Sequence, residues 1–272
     1  MEKRAEILFV GGDERVVKAA DVLAGRGHTV TLTGFEAYGK EVQNAVPYGE
    51  AEKQIGGAEL IVLPLPYTRD GKTVNAPFAK GAISLEELFA ICGSKPVLGG
   101  MLPEKGIHAD YYDEIMVLQN ADVTAEAALL TAGARSGTTF AGGKALILGY
   151  GRIGKALANK LKALGCFVTV AARKEADRAL ARLSGHSAVD CVTAETLFAG
   201  MDFVFNTVPT ELFGEEVFDA LPERIPVVDL ADGISGTRVI KAPGLPGKYA
   251  PEKAGEILAE AVERTWRHGG KQ

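Results

Sequence analysis

The sequence predicts an α/β protein made of two Rossmann-like, doubly wound parallel-sheet domains with a cleft between them. Three observations lead there: a strand–helix–strand pattern that occurs twice with equal spacing, strands that are apolar throughout, and a glycine motif that opens the second copy. In the first copy Ile7-Leu8-Phe9-Val10 runs into Gly11-Gly12. Apolar residues then recur at helical spacing (Val16, Val17, Ala20, Leu23, Ala24), and Gly27 precedes the strand-like His28-Thr29-Val30-Thr31-Leu32. In the second copy Ala145-Leu146-Ile147-Leu148 runs into Gly149. A helix carrying Ile153, Ala156, Leu157, Leu161 and Leu164 follows, then Gly165 and the strand Cys166-Phe167-Val168-Thr169-Val170. The distance from Gly11 to Gly27 equals that from Gly149 to Gly165. Continuous apolar strands, as opposed to alternating ones, belong to parallel sheets covered on both faces.

Further strands fit each copy: Leu60 to Leu63 and Pro96 to Leu98 in the first, Phe203 to Phe205 and Val227 to Leu230 in the second. Between the copies, Thr124 to Arg135 reads as a connecting helix with Asp122 or Thr124 as its N-cap and Glu126 in its first turn. Gly137 to Gly143 then forms a loop. From Pro251 the positions Ala254, Ile257, Leu258, Ala261, Val262 and Thr265 keep helical spacing, and this last helix is expected to return to the first domain. The expected division is therefore 1–120 together with 250–272, and 121–249, with ligand bound in the cleft between them. A chain of 272 residues accommodates two such domains.

Composition narrows the function classes. A hydrophobic content of 47% and a charged content of 24% describe a globular chain with a full core. The formal net charge of −5, without a basic run, argues against nucleic acid as a partner. Cys92, Cys166 and Cys191 are scattered and lack C-x-x-C spacing, which fits reduced thiols and not a disulfide framework or zinc site. No His, Cys and carboxylate residues stand at metal-ligand spacing, so no metal is expected. The apolar run after Met1-Glu2-Lys3-Arg4 is too short for a signal peptide core, and no stretch reaches membrane-spanning length; a cytoplasmic location is expected.

The motif with the clearest chemistry is Gly149-Tyr150-Gly151-Arg152-Ile153-Gly154, a G-x-G-x-x-G placed after a strand and at the start of a helix. Gly149 permits the tight turn, Gly151 lets the backbone approach a pyrophosphate, and Gly154 lets helix and strand pack closely. The helix N-terminus offers N–H groups and a positive dipole end to the phosphates. The first copy has Asp13 and Val16 where the second has Gly151 and Gly154, and an acid there opposes a pyrophosphate. The first domain is thus expected to take substrate and the second the dinucleotide. At the end of the second strand an NAD enzyme places an acid for the ribose 2′-OH. This chain reads Ala171-Ala172-Arg173-Lys174, and Arg173 with Lys174 suits the 2′-phosphate of NADP(H), unless the pair is simply a solvated helix start. Asn206-Thr207-Val208-Pro209 follows the fourth strand, where Thr207, Val208 and Pro209 either flank the nicotinamide ribose or form an ordinary turn.

These segments carry a resemblance to the family of dipicolinate synthase A subunits. It runs through Val10-Gly11-Gly12-Asp13 with Arg15, Leu148 to Gly154, Val170 to Arg173, Asn206 to Pro209, and Asp229-Leu230-Ala231. It continues through Ala242-Pro243-Gly244-Leu245-Pro246-Gly247, Ala250-Pro251 and Ala254-Gly255. More distantly the chain is similar to the D-2-hydroxyacid and alanine dehydrogenases. The first resemblance implies NADP-dependent oxidation of dihydrodipicolinate to dipicolinate on a branch of the lysine pathway. It also implies a location in the mother cell of a sporulating bacterium, partnership with a flavoprotein-like B subunit, and Ala231 among the cofactor contacts. The oligomeric state stays open: flanking helices of such paired domains often pack against a twin in a homo-oligomer, but no patch for it can be identified in the sequence.

A substrate with two ring carboxylates calls for cationic anchors. Arg15 leads because it sits at a strand-to-helix turn facing the expected cleft; Arg69, Arg135 and Lys248 are the others. A hydroxyacid dehydrogenase needs a general base, commonly His. Of His28, His108, His186 and His268, none lies between Asp229 and Ala250, where that dehydrogenase group carries its own. His28 starts a strand, His186 reads as a surface-loop residue and His268 as part of a frayed tail, which leaves His108 as the one to test. Glu126 and Asp229 are the alternative bases, each with a plain structural reading as a helix first-turn acid and a strand-end cap. Two other functions stay open: a different small-acid dehydrogenase of this architecture, and a cofactor-binding protein whose chemistry lies in its partner.

Overall fold

The computed structural model describes residues 4–103, 108–242 and 244–269; Met1 to Lys3 and Pro243 lie outside them. Two compact units are present, Met1–Gln119 with Ala250–Gln272, and Asn120–Tyr249.

The first unit contains β1 (Glu6–Val10), α1 (Glu14–Gly25), β2 (Thr29–Thr33), β3 (Ala45–Val46), α2 (Ala51–Gly57), β4 (Leu60–Val62), α3 (Leu85–Cys92), β5 (Val97–Gly99) and β6 (His108–Asp110). α4 (Glu114–Gly133) spans the division between the units. All pairings in the first sheet are parallel, in the order β3-β2-β1-β4-β5-β6. The second unit contains β7 (Lys144–Leu148), α5 (Arg152–Ala163), β8 (Phe167–Ala171), α6 (Glu175–Leu183), β9 (Ser187–Val189), β10 (Phe203–Asn206), α7 (Glu215–Asp219), β11 (Val227–Asp229), β12 (Val239–Lys241) and α8 (Leu245–Tyr249). Its sheet is also parallel, ordered β12-β11-β10-β7-β8-β9. Counted along the chain, both sheets have the doubly wound order 3-2-1-4-5-6. The order reverses between β1 and β4 and again between β7 and β10, and a ligand crevice opens outside the strand ends at such a point.

Successive residues of β7 explain its apolar sequence. Ala145 and Ile147 join a core with Ala128, Leu157 and Leu161, while Leu146 and Leu148 join a second core with Phe198 and Phe218. Each face of the strand is buried, so no position is left for a polar alternation. In the first unit Leu8 and Val10 pack with Ile55, Leu88 and Val97 in the same manner.

Helix α4 starts ten residues earlier than its cap signals suggest, because Asp113 caps it by accepting the Met116 N–H at 2.8 Å. Asp122 and Thr124 are therefore interior; Thr124 Oγ1 donates back to the Asn120 carbonyl at 2.7 Å. Glu126 is likewise not a first-turn acid. The last helix, α9 (Pro251–Gly269), extends through His268, so its backbone there is helical, and its Ala254, Ile257, Leu258, Ala261 and Val262 are buried. It lies against α1 and is tied to its unit by Glu263, which accepts from Arg26 at 2.7 Å and pairs with His28 Nε2 at 3.1 Å. Arg264 forks onto Asp113 at 2.6 and 2.8 Å. His186 is not in a surface loop: it is buried beside β9, edge-on to the ring of Tyr150. Burial, with Lys162 nearby, lowers its pKa.

No helix among the described residues is long and apolar enough to cross a membrane. Among those residues no three His, Cys, Asp or Glu side chains converge as metal ligands.

Candidate functional site

The turn from β7 to α5 is built by its glycines. Gly149 has φ +96°, and a Cβ there would meet Thr207 Oγ1 at 2.5 Å and Val208 Cγ2 at 2.8 Å. A Cβ on Gly154 would come within 2.5 Å of the Gly149 carbonyl oxygen, so the helix sits as close to the turn as a missing side chain allows. Gly151 differs: a Cβ there would meet nothing within 4 Å. It is the N-cap of α5, no side chain caps the helix, and its first turn holds no acid. The first-turn N–H groups and the dipole end thus face open space, which is the requirement for a pyrophosphate. Arg152 and Ile153 belong to that first turn, and Ile153 is half-buried. Tyr150 contributes backbone only, because its ring is buried in the core under α5, with Lys155 Nζ 5.7 Å from its centroid.

The equivalent turn of the first unit is closed. The Gly12 N–H donates to the Asn75 carbonyl at 3.0 Å, and a Cβ on Gly11 would meet Ala76 Cβ at 2.8 Å. Asp13 caps α1 by accepting from the Arg15 N–H at 3.1 Å. The segment around Asn75 covers the ground that lies open beside Gly151.

Around the open turn the other sequence candidates divide. Thr207 donates its hydroxyl and its N–H to the Leu148 carbonyl, both at 2.9 Å, which pins the end of β10 to the end of β7. Val208 follows, with its N–H on Asn206 Oδ1 at 3.1 Å, and Pro209 is exposed. Ala231 donates its N–H to Asp229 Oδ1 at 3.2 Å. Asp229 itself is saturated: besides Ala231 it accepts from Asn206 Nδ2 at 2.8 Å, Ile234 N at 3.2 Å and Lys241 Nζ at 2.9 Å. Burial alone would raise its pKa, but these hydrogen bonds outweigh it and hold the carboxyl below its ordinary value. An acid so engaged positions the Ala231 loop and has no lone pair free for a substrate proton.

At the end of β8 the side chains of Arg173 and Lys174 are exposed, and no hydrogen bond or ion pair holds either among the described residues. Arg178, which no sequence motif marks, fixes the backbone beneath them. It donates to the Ala172 carbonyl at 2.7 Å and the Arg173 carbonyl at 2.9 Å.

The remaining candidates are divided between the two units. Arg15 is only partly a free anchor, since its Nε and Nη2 edge is forked onto Asp13 and Nη2 also donates to the Leu65 carbonyl at 2.9 Å. Arg69 is exposed and donates to Asn75 Oδ1 at 3.1 Å; Arg135 and Lys248 are exposed. Glu126 is exposed on α4 and pairs with Lys160 at 3.6 Å. His108 opens β6, two residues before the strand's C-terminal end, with its ring stacked on Phe89 at 5.1 Å.

The chain has relatives that match this geometry. Residues 6–119 match the model of the N-terminal domain of the dipicolinate synthase A subunit. Residues 117–235, which include the open turn, match the NAD-binding domain of the D-isomer-specific 2-hydroxyacid dehydrogenases. The dipicolinate synthase A subunit of Bacillus subtilis (strain 168) is 25% identical over 284 residues, with 95% of each chain covered. The crystal structure of that subunit type from Bacillus subtilis superposes with a TM-score of 0.81 at 23% identity, covering 99% of this chain and 98% of that one. The corresponding structure from Bacillus halodurans gives 0.77 at 24% identity, covering 96% and 97%. Three matches coincide: an N-terminal half of this subunit type, an NAD-binding dehydrogenase domain behind it, and a relative aligned from end to end. Together they make the chain similar to the dipicolinate synthase A subunits along nearly its whole length.

Proposed function

We propose that the chain is the A subunit of a dipicolinate synthase, oxidising dihydrodipicolinate to dipicolinate with NADP+. The observation that carries this reading is the open, uncapped turn at Gly151, set in an end-to-end match to that family. The α5 N-terminus, through Gly149, Tyr150, Gly151, Arg152, Ile153 and Gly154, would hold the pyrophosphate, and Arg173 with Lys174 the 2′-phosphate. Thr207, Val208, Pro209 and Ala231 would border the nicotinamide end. When bound, the nicotinamide ring supplies the hydride acceptor; the ring of the substrate gives up one hydride and one proton and becomes aromatic. Arg15 retains Nη1 for a substrate carboxylate, and Arg69, Arg135 and Lys248 are exposed cations available for the second. Aromatisation drives the step, so a weak base suffices, and His108 or Glu126 need only be within reach of water. The proposed setting is the mother cell of a sporulating bacterium. The proposed partner there is the flavoprotein-like B subunit, with a homo-oligomer as an open form of assembly.

A second reading has its own support: Asp229 is saturated, Glu126 is paired and His108 is stacked on Phe89. On that reading the chain binds the cofactor and its partner completes the chemistry.

The deciding experiment follows absorbance at 340 nm with freshly generated dihydrodipicolinate, NADP+ or NAD+, with and without the B subunit. NADPH formed by this chain alone is the expected result. Turnover only with the B subunit favours the second reading. Tight NADPH binding without turnover in either mixture removes the dipicolinate assignment and points to another small-acid dehydrogenase.

A further inference from the structure

The end of β8 carries more carboxylate than its exposed cations suggest. Glu175 stands in the first turn of α6, directly after Arg173-Lys174, and Asp190 follows β9, the strand next to β8. Left unpaired, both would face the region where a 2′-phosphate is to sit, and like charges at short range disfavour each other. Arg178 engages the two at once. Its Nε and Nη2 donate to Glu175 Oε2 at 2.9 and 2.6 Å, and its Nη1 donates to Asp190 Oδ2. The same Nη1 holds the Ala172 and Arg173 carbonyls at 2.7 and 2.9 Å. Arg182 takes the other oxygen of Glu175. The Arg178 side chain is 16% exposed, against 65% for Glu175 and 41% for Asp190, so the guanidinium lies beneath the acids that it neutralises. A planar fork can serve two carboxylates and two carbonyls together, which a single ammonium group cannot.

We propose that Arg178 is a positioning and specificity-determining residue for the dinucleotide site: it neutralises Glu175 and Asp190 and fixes the Ala172-Arg173 backbone, so that the strand end presents net positive charge to a 2′-phosphate. This rests on the NADP reading above. The residue reaches the cofactor through Arg173 and through the charge of Glu175, without touching it. Its removal therefore affects a dinucleotide that carries a 2′-phosphate and spares one that does not.

The test measures equilibrium binding of NADP+, NAD+ and adenosine 2′,5′-bisphosphate to the full chain by calorimetry, alongside thermal melting. Arg178→Gln is expected to weaken NADP+ and the bisphosphate by about tenfold or more while NAD+ changes by less than about threefold. Adding Glu175→Gln in the same chain is expected to restore much of the lost NADP+ affinity, because the uncovered charge is gone. Equal weakening of both dinucleotides, or unchanged NADP+ preference in a folded Arg178→Gln chain, overturns the proposal. Should that variant fail to fold, Arg178→Lys carries the test: a selective loss of NADP+ affinity supports the proposal, and a native preference overturns it. If the unaltered chain itself binds NAD+ as tightly as NADP+, the NADP reading fails first, and that outcome is distinct from a failure of Arg178.

Discussion

Asp229 shows how a residue with the chemistry of a base becomes an architectural one once its neighbours are counted. Its two oxygens gather Asn206, Lys241 and the N–H groups of Ala231 and Ile234, which ties β10, β11, β12 and the following loop to one buried charge. Asp229→Asn places an NH2 group where one oxygen accepted, against Lys241 or a backbone N–H. Hydrogen bonds to charged groups contribute about 1.5–3 kcal/mol, and a loss of that size is expected in urea unfolding at pH 7. The pH dependence follows from the direction of the shift. The folded-state pKa lies below the unfolded value, so the stabilisation is complete above the ordinary carboxylate range and is lost as pH falls through the folded value. The gap between Asn variant and native chain should therefore narrow on acidification; a gap constant from pH 7 to pH 3 would sink this account. The glycine motif is legible in the sequence because each glycine answers a local need at a fixed offset. The partners of Asp229, the Asp13–Arg15 fork and the buried ring of Tyr150 are not, because residue type does not reveal which way a side chain turns or what occupies its lone pairs.

At the scale of elements, the strands are readable because parallel burial leaves an unbroken apolar run, and α9 because its apolar stripe keeps one period from Ala254 to Val262. The start of α4 is hidden from the sequence for a physical reason. Thr124 and Asp122 have the chemistry of caps, but a helix already running from Asp113 satisfies their backbone groups internally, and Thr124 turns back onto Asn120. The seam between α1 and α9 depends on a feature that periodicity does not display. A Cβ on Gly255 would lie 2.4 Å from Lys18 Cβ and 3.0 Å from the Ala19 nitrogen, so the two helices meet where one of them lacks a side chain. Gly255→Val forces them apart and is expected to cost about 1–3 kcal/mol, the usual range for overpacking. Chemical denaturation reads that loss, and NADP+ affinity should stay native because Gly255 belongs to the first unit. A variant as stable as the native chain would show that the helices separate freely and that the seam is not close-packed.

Across the whole molecule, one fold occurs twice with the same strand order, and the two copies differ at the turn where a dinucleotide would enter. In the second unit the residue at the N-cap is Gly151, with nothing within 4 Å of its Cβ direction. In the first unit it is Asp13, and the neighbouring Gly12 N–H is taken by the Asn75 carbonyl at 3.0 Å. An acid at the N-cap, forked to Arg15, and a covering segment therefore both stand against a phosphate in the first unit, and the sequence discloses only the acid. The two causes can be separated. Calorimetry of the native chain should give one NADP+ bound per chain. Gly151→Asp, which copies the first unit into the second, should abolish binding, since an acid and a side chain replace the open approach to the α5 N-terminus. Asp13→Gly removes the acid, and with it the partner of Arg15. Because glycine is itself a tolerated cap, the lost cap bond costs only about a few tenths of a kcal/mol. The variant should still leave the stoichiometry at one, because Asn75 and Ala76 continue to cover Gly11 and Gly12. A second equivalent of NADP+ bound by Asp13→Gly would mean that the acid alone closes the first unit, and that the covering segment yields to a ligand.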